Sequence, residues 1–262
     1  MAVNAIFLLG VIFILLFVLI ICLKLRRSNN AIVIIEPRNH PYLESVINNF
    51  NSQMDSSWDL YVFHGKSNRD YAVNAVRHIY KRRVFPISLD TDNLTADEYN
   101  SLLKKSSFWD LVKAENILVF QTDVALCAKS KLNIYDFINY DYIGCSINDK
   151  TYGNHHVPKW WEGDNFYGIG GLSFRKKSFM MKCIADNPSV SDRYAEDVFF
   201  SNCVAKTENK PANASIIADF CTQNKFTNKS FGAHKTSLLK RDSMEKYNNF
   251  AAYCPEIKII DQ

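Results

Sequence analysis

The chain lacks most of the signatures that reveal a function at first sight. Its seven cysteines form no C-x-x-C pair, which argues against a zinc site. None of its nine glycines stands in the spacing of a Walker loop or a dinucleotide fingerprint. There is no internal repeat and no long low-complexity stretch. No charge sign dominates: 31 Lys and Arg against 27 Asp and Glu give +4, spread along the chain. That is too little to argue for nucleic acid as a partner.

What is present begins with a long apolar run. Ala5 to Leu23 contains no charge and no proline. At about 1.5 Å per residue it spans roughly the thickness of a bilayer core. A cleaved signal would have a shorter apolar core with basic residues ahead of it, whereas here Lys24, Arg26 and Arg27 follow. The run reads as a single-pass membrane anchor. The cations after it would keep the remainder cytoplasmic. The sequons at Asn93, Asn213 and Asn228 would be usable only in a lumen. The side of the membrane stays open. Cys127, Cys145, Cys183, Cys203, Cys221 and Cys254 are compatible with lumenal disulfides, although buried free thiols of a reducing compartment are the plainer reading.

The 262 residues, 47% hydrophobic, suffice for one sizeable domain plus an accessory segment. Residues 1–30 are expected to be anchor and basic linker, 31–240 the domain, and 241–262 a tail. "AIVIIEP" from Ala31 is β-branched, apolar and stopped by Pro37, as in a buried parallel strand. Leu43, Val46, Ile47 and Phe50 then form a helical stripe. "WDLYVFHG", the helix "YAVNAVRHIYK" and the extended "RVFPISL" continue the alternation. "TADEYNSLLKKSSFWDLV" reads as one helix opened by a capping box from Thr95 to Glu98, and it leads into the apolar run "NILVFQTDVAL". Strands alternating with helices predict an α/β fold, a mixed and mainly parallel sheet flanked by helices.

Four stretches could carry chemistry. In "VFQTDVAL", Asp123 ends an apolar strand, where a carboxylate can hold a divalent ion against phosphate oxygens. Taken alone, a loop or helix-cap aspartate is the plainer reading. In "FYGIGGLSFRKKSF", Gly168, Gly170 and Gly171 suit either a tight turn or close backbone approach to a substrate, and Arg175 follows. In "YAEDVFFS", Glu196 and Asp197 precede an apolar helix. Acids are favoured at a helix start in any case, but one could be a general base. In "SFGAHK", His234 is a lone histidine that chain return could bring beside Asp123. Between "YDYIGC" and "YGIGG", the polar insertion 146–166 carries Trp160 and Trp161; it is long for a structureless loop, and such loops are often functional.

The order of these stretches is more informative than any one of them. "ILVFQTD", "YDYIGC", "GIGGLSFRKKSF", "EDVFFS" and "FGAHK" resemble a little-characterised family of glycosyltransferase domains of GT-A type, known from giant viruses and cellular genomes. The resemblance covers residues 31 to 236. It implies a membrane-anchored, metal-dependent enzyme that moves a sugar from a nucleotide-diphosphate sugar to a glycan or protein acceptor. It implies Asp123 and His234 as ligands of Mn²⁺ or Mg²⁺, and Asp197 or Glu196 as the base. It further implies Glu36, Arg38, Gln121, Gly170, Gly171 and Arg175 on the donor side. Gln121 stands where the type carries a first aspartate, so metal affinity is in question. An inactive glycan- or nucleotide-binding relative and a structural membrane protein are the rival readings.

Overall fold

A computed structural model describes residues 28–146, 168–188, 194–204, 211–224 and 227–260. The expected anchor Ala5–Leu23, Trp160, Trp161 and nearly all of the insertion lie outside the described residues. Among the described residues, no helix is long and apolar enough to cross a membrane.

The first strand, β1 (Asn30–Ile35), is buried from Ala31 onward, and β2 (Asp59–His64) is buried throughout. Continuous rather than alternating burial is what a parallel strand covered on both faces requires. β1 pairs in parallel with β2 and with β4 (Asn116–Phe120), and β2 with β3 (Val84–Ser88). β3 is partly exposed and carries Pro86, which an edge strand tolerates. β6 (Tyr142–Cys145) and β7 (Ile169–Lys176) complete the sheet, with β7 antiparallel to both β4 and β6. The order is β3-β2-β1-β4-β7-β6. Helices α1 (Leu43–Gln53), α2 (Arg69–Val76), α3 (Ala96–Leu103), α4 (Ser106–Trp109) and α5 (Lys177–Asp186) flank it. Phe50 of α1 stacks on Phe120 at 3.9 Å between ring centres. The mixed, mainly parallel α/β sheet expected from the alternation is present.

Strand order reverses at β1. The chain winds outward to β2 and β3, then returns on the other side of β1 as β4. At such a switch point the connections leave in opposite directions and open a crevice beyond the carboxyl ends of the two strands. The register pairs Ile34 with Phe120. Glu36 and the segment Gln121–Asp123 therefore emerge side by side at that crevice.

Several boundaries differ from the sequence reading. The run "NILVFQTDVAL" is not one strand: β4 stops at Phe120, and β5 (Val124–Leu126) belongs to a second sheet of order β5-β9-β8, where β8 is Cys221–Thr222 and β9 is Gly232–His234. The helix expected across 95–112 breaks after Leu103, whose carbonyl accepts from the Trp109 indole at 2.7 Å. Its capping box is present, with Thr95 and Glu98 bonded reciprocally. Helices α6 (Glu196–Val204) and α7 (Ala214–Phe220) follow. The C-terminal stretch is no loose tail. α8 (Ser237–Asp242), α9 (Met244–Tyr253) and a 3₁₀ turn at Pro255–Ile259 bury Leu239, Phe250 and Ile257 in a satellite core.

The cysteines correct the preference for free thiols. Cys127–Cys254, Cys145–Cys221 and Cys183–Cys203 are disulfides, so every cysteine outside the apolar segment is paired. Two of the three close loops of 127 and 76 residues. Such partners are chosen by tertiary proximity, which spacing alone does not reveal.

Candidate functional site

The site begins where β4 ends. After Phe120 the chain turns through Gln121 and Thr122 to Asp123, and β5 leads away. β9 returns antiparallel to β5 with His234 opposite Val124, and the Lys235 amide donates to the Asp123 carbonyl at 3.1 Å. This register brings two residues far apart in sequence together: His234 Nε2 lies 3.4 Å from Asp123 Oδ1. Neither atom has a hydrogen-bond partner, and both are buried. Burial pushes the Asp123 carboxyl up, but His234 and then Lys235 outweigh it and hold it below its usual range.

The imidazole lies against the glycine turn. A Cβ on Gly171 would sit 2.3 Å from His234 Nε2 and 2.5 Å from Cε1. Only glycine leaves room for that ring. On the ring's other nitrogen, Nδ1 is 2.9 Å from Gln223 Oε1.

Gly170, one residue earlier, connects this corner to α6. Its amide donates to Asp197 Oδ2 at 3.3 Å, and Asp197 Oδ1 accepts from the Val198 amide at 2.8 Å. Burial first, and then the charge of Glu196, push the Asp197 carboxyl up to about 6, against the pull of those two amides. A carboxyl so placed changes protonation near neutral pH, as a general base requires.

Glu196 is differently placed. Arg175 Nη1 donates to its Oε2 at 2.7 Å and Nη2 to its Oε1 at 3.0 Å. The guanidinium has no exposed surface, and its carbon lies 5.3 to 5.9 Å from the ring centres of Trp109, Tyr142 and Phe200. Arg175 Nε also donates to Ser173 Oγ, which in turn donates to the Gly170 carbonyl. The expected roles of Glu196 as a base and of Arg175 as a donor contact do not fit this arrangement. Each neutralises the other inside the core, and together they brace Gly170 and the start of α6.

Glu36 is nearly buried at the end of β1, with Arg38 Nε and Nη2 donating to its two oxygens at 2.8 and 2.9 Å. Asn68 Nδ2 donates to the carbonyls of both residues. This stiff corner lines the β1 side of the crevice, with the Arg38 side chain more than half exposed. Gln121 lies on the β4 side, half-buried.

Sequence reasoning missed two residues of this constellation. The Tyr99 hydroxyl, from α3, is buried without a hydrogen-bond partner, among Gln121, Glu196 and Asp123. Burial makes the hydroxyl a weaker acid than an ordinary tyrosine, so it stays protonated and can donate. Gln223 is the other. No motif marks either residue; only the packing of α3 and the pairing of β8 with β9 bring them in. Among the described residues, no three His, Cys, Asp or Glu side chains converge as a ready-made metal site, so Asp123 and His234 stand as a pair.

A family model matches residues 85–234, more than half of the chain, running from β3 to the site histidine. The chain belongs to the DUF5672 family, described as a protein of unknown function. No curated protein matches it. Among solved structures, this DUF5672 chain is similar to core-mannan synthase A from Aspergillus fumigatus in its Mn/GDP form, with TM-score 0.48, 11% identity, and 68% of each chain covered. It is also similar to the glycosyltransferase GlyE of Streptococcus pneumoniae, with TM-score 0.42, 8% identity, and 70% of this chain but 44% of that one covered. At such scores neither likeness carries function to this chain.

Proposed function

We propose that this DUF5672 chain transfers a sugar from a nucleotide-diphosphate sugar to an acceptor hydroxyl. One observation carries the reading. Of five buried side-chain atoms without a hydrogen-bond partner among the described residues, three are Tyr99 Oη, Asp123 Oδ1 and His234 Nε2, all at the carboxyl end of β4. Unpaired buried polar atoms are costly, and three at one switch point mark a place meant for a ligand.

The residues present suit a divalent cation. Asp123 Oδ1 and His234 Nε2 face each other with nothing between them to satisfy either, a carboxylate and an imidazole of the type that Mn²⁺ accepts. Only two protein groups are supplied, so phosphate oxygens and water must complete the shell. When bound, such an ion neutralises charge that develops on the departing diphosphate. The chain's own groups do the rest. Asp197 takes the proton of the acceptor hydroxyl, held in position by the Gly170 and Val198 amides. Tyr99 donates a hydrogen bond to the donor, and Arg38 with its exposed guanidinium meets the nucleotide side. Gly170 and Gly171 leave the sugar free access to the backbone.

A binding-only relative is the second reading, favoured by one fact: Gln121 adds no charge where a second carboxylate would strengthen cation binding. Screening sugar nucleotides with the purified chain and Mn²⁺ separates the two. Turnover that Asp123→Ala abolishes, with melting unchanged, is the expected result. Nucleotide binding without donor consumption favours the second reading, and full activity of Asp123→Ala would falsify the assignment of Asp123.

We also infer that the domain faces an oxidising compartment, tethered by the apolar segment Ala5–Leu23. Three disulfides support this, since such pairs are rare in a reducing cytosol. They oppose the count of cations after the segment. Asn93, Asn213 and Asn228 are exposed and would be open to glycosylation there.

A further inference from the structure

A neutral imidazole carries one ring proton, and only the other nitrogen can bind a metal. Which nitrogen is free at position 234 is decided by Gln223. Nδ1 lies 2.9 Å from Gln223 Oε1, and both side chains are buried, at 1% exposure each. An amide oxygen only accepts, so the ring proton sits on Nδ1. Nε2 is left with its lone pair directed at Asp123 Oδ1, 3.4 Å away. Facing oxygen and nitrogen at that distance call for something positive between them, a second ring proton in the metal-free chain or a cation.

The arrangement follows from strand register. β8 runs parallel to β9 with Cys221 beside Gly232 and Thr222 beside Ala233. The next step of the ladder sets Gln223 beside His234. The start of β8 is held in place by the Cys145–Cys221 disulfide and by the Ser146 amide on the Cys221 carbonyl at 3.2 Å. Gly171 forms the floor under the ring, where a Cβ would meet Nε2 at 2.3 Å.

We propose that Gln223 is a positioning residue that holds His234 in the Nδ1-protonated form and so presents Nε2, with Asp123, to a divalent cation. The assignment rests on the sugar-transfer reading for its cation, but the tautomer is a property of the chain alone. Gln223 accepts one hydrogen bond and touches no substrate. Partners of this kind, behind a ligating histidine, affect metal affinity by about 10- to 100-fold.

Two measurements test this on the full chain. The first is ¹⁵N NMR of histidine-labelled, metal-free protein, with the His234 signal assigned by its loss in His234→Ala. A proton on Nδ1 is expected whether or not the ring is also protonated at Nε2, and a neutral ring with its only proton on Nε2 overturns the proposal without any metal being involved. The second is Mn²⁺ binding by calorimetry in the presence of a nucleoside diphosphate. Gln223→Met, which keeps the shape but cannot accept, is expected to weaken Mn²⁺ about 10- to 100-fold. Gln223→Glu, which still accepts from Nδ1, is expected to bind more tightly than Gln223→Met. If Gln223→Met binds like wild type while Asp123→Ala does not bind, the positioning role is refuted and the cation site stands. If the wild-type chain binds no Mn²⁺, the cation reading itself is lost, whatever the tautomer.

Discussion

Replacing Glu196 with glutamine removes one charge and almost no volume, and it separates the two neighbouring acids at the head of α6 by function. Arg175 is wholly buried, and its two terminal nitrogens donate to the two oxygens of Glu196 at 2.7 and 3.0 Å. Glutamine keeps one acceptor and turns an NH₂ group toward the other guanidinium nitrogen. The arginine is then an uncompensated buried charge, a change that costs about 3–5 kcal/mol. The rings of Trp109, Tyr142 and Phe200 surround the guanidinium before and after, so they do not offset the loss. In a domain of this size each kcal/mol lowers Tm by about 2–4 °C, so a fall of about 6–20 °C is expected. Chemical denaturation of the purified chain reads the free energy directly. Arg175→Met should lose a similar amount, and the double variant Arg175→Met with Glu196→Met should recover much of it, because no charge is then left unpaired. A loss under about 1 kcal/mol in Glu196→Gln would refute the reasoning. It would mean the pair is not structural, and it would return Glu196 to candidacy as the base.

Asp197→Asn should behave in the opposite way. Its carboxyl is raised to about 6, so the folded state disfavours its charged form, and this cost grows as pH climbs from the ordinary carboxylate range and is complete above about 6. The variant should therefore be no less stable at neutral pH, while transfer activity falls; in wild type the rate should rise with pH through about 6, a limb absent from the variant. Gly171→Ala would set a methyl 2.3 Å from His234 Nε2, so it should weaken Mn²⁺ binding at least about tenfold and cost about 1–3 kcal/mol; unchanged Mn²⁺ affinity would contradict the packing of ring on glycine. Alkylation of the denatured chain without reductant should leave the six cysteines from Cys127 to Cys254 unlabelled, and Cys127→Ala with Cys254→Ala should cost about 2–5 kcal/mol by denaturation.

Local pattern carried a good part of this protein. Buried strands announce themselves by unbroken β-branched runs and flanking helices by apolar stripes, so the α/β sheet and the place of Asp123 at a strand end were legible from residues within reach of one another along the chain. The capping box at Thr95 and Glu98 was legible for the same reason. The order of "VFQTD", "GIGG", "AED" and "GAH" marked the corner in which Asp123, the glycines, Asp197 and His234 meet. Tertiary structure decided what those residues do. A buried charge takes whatever opposite charge the fold brings, so Arg175 claimed Glu196 and left Asp197 as the free acid. Cysteines pair by distance in space, and loops of 127 and 76 residues hide their partners from any spacing rule. Gln223 and Tyr99 entered the site through strand register and helix packing, which arise only when distant segments meet. Sequence marked a polar corner at the end of β4; three-dimensional pairing determined which of its side chains have partners and which buried atoms, such as Asp123 Oδ1 and His234 Nε2, do not.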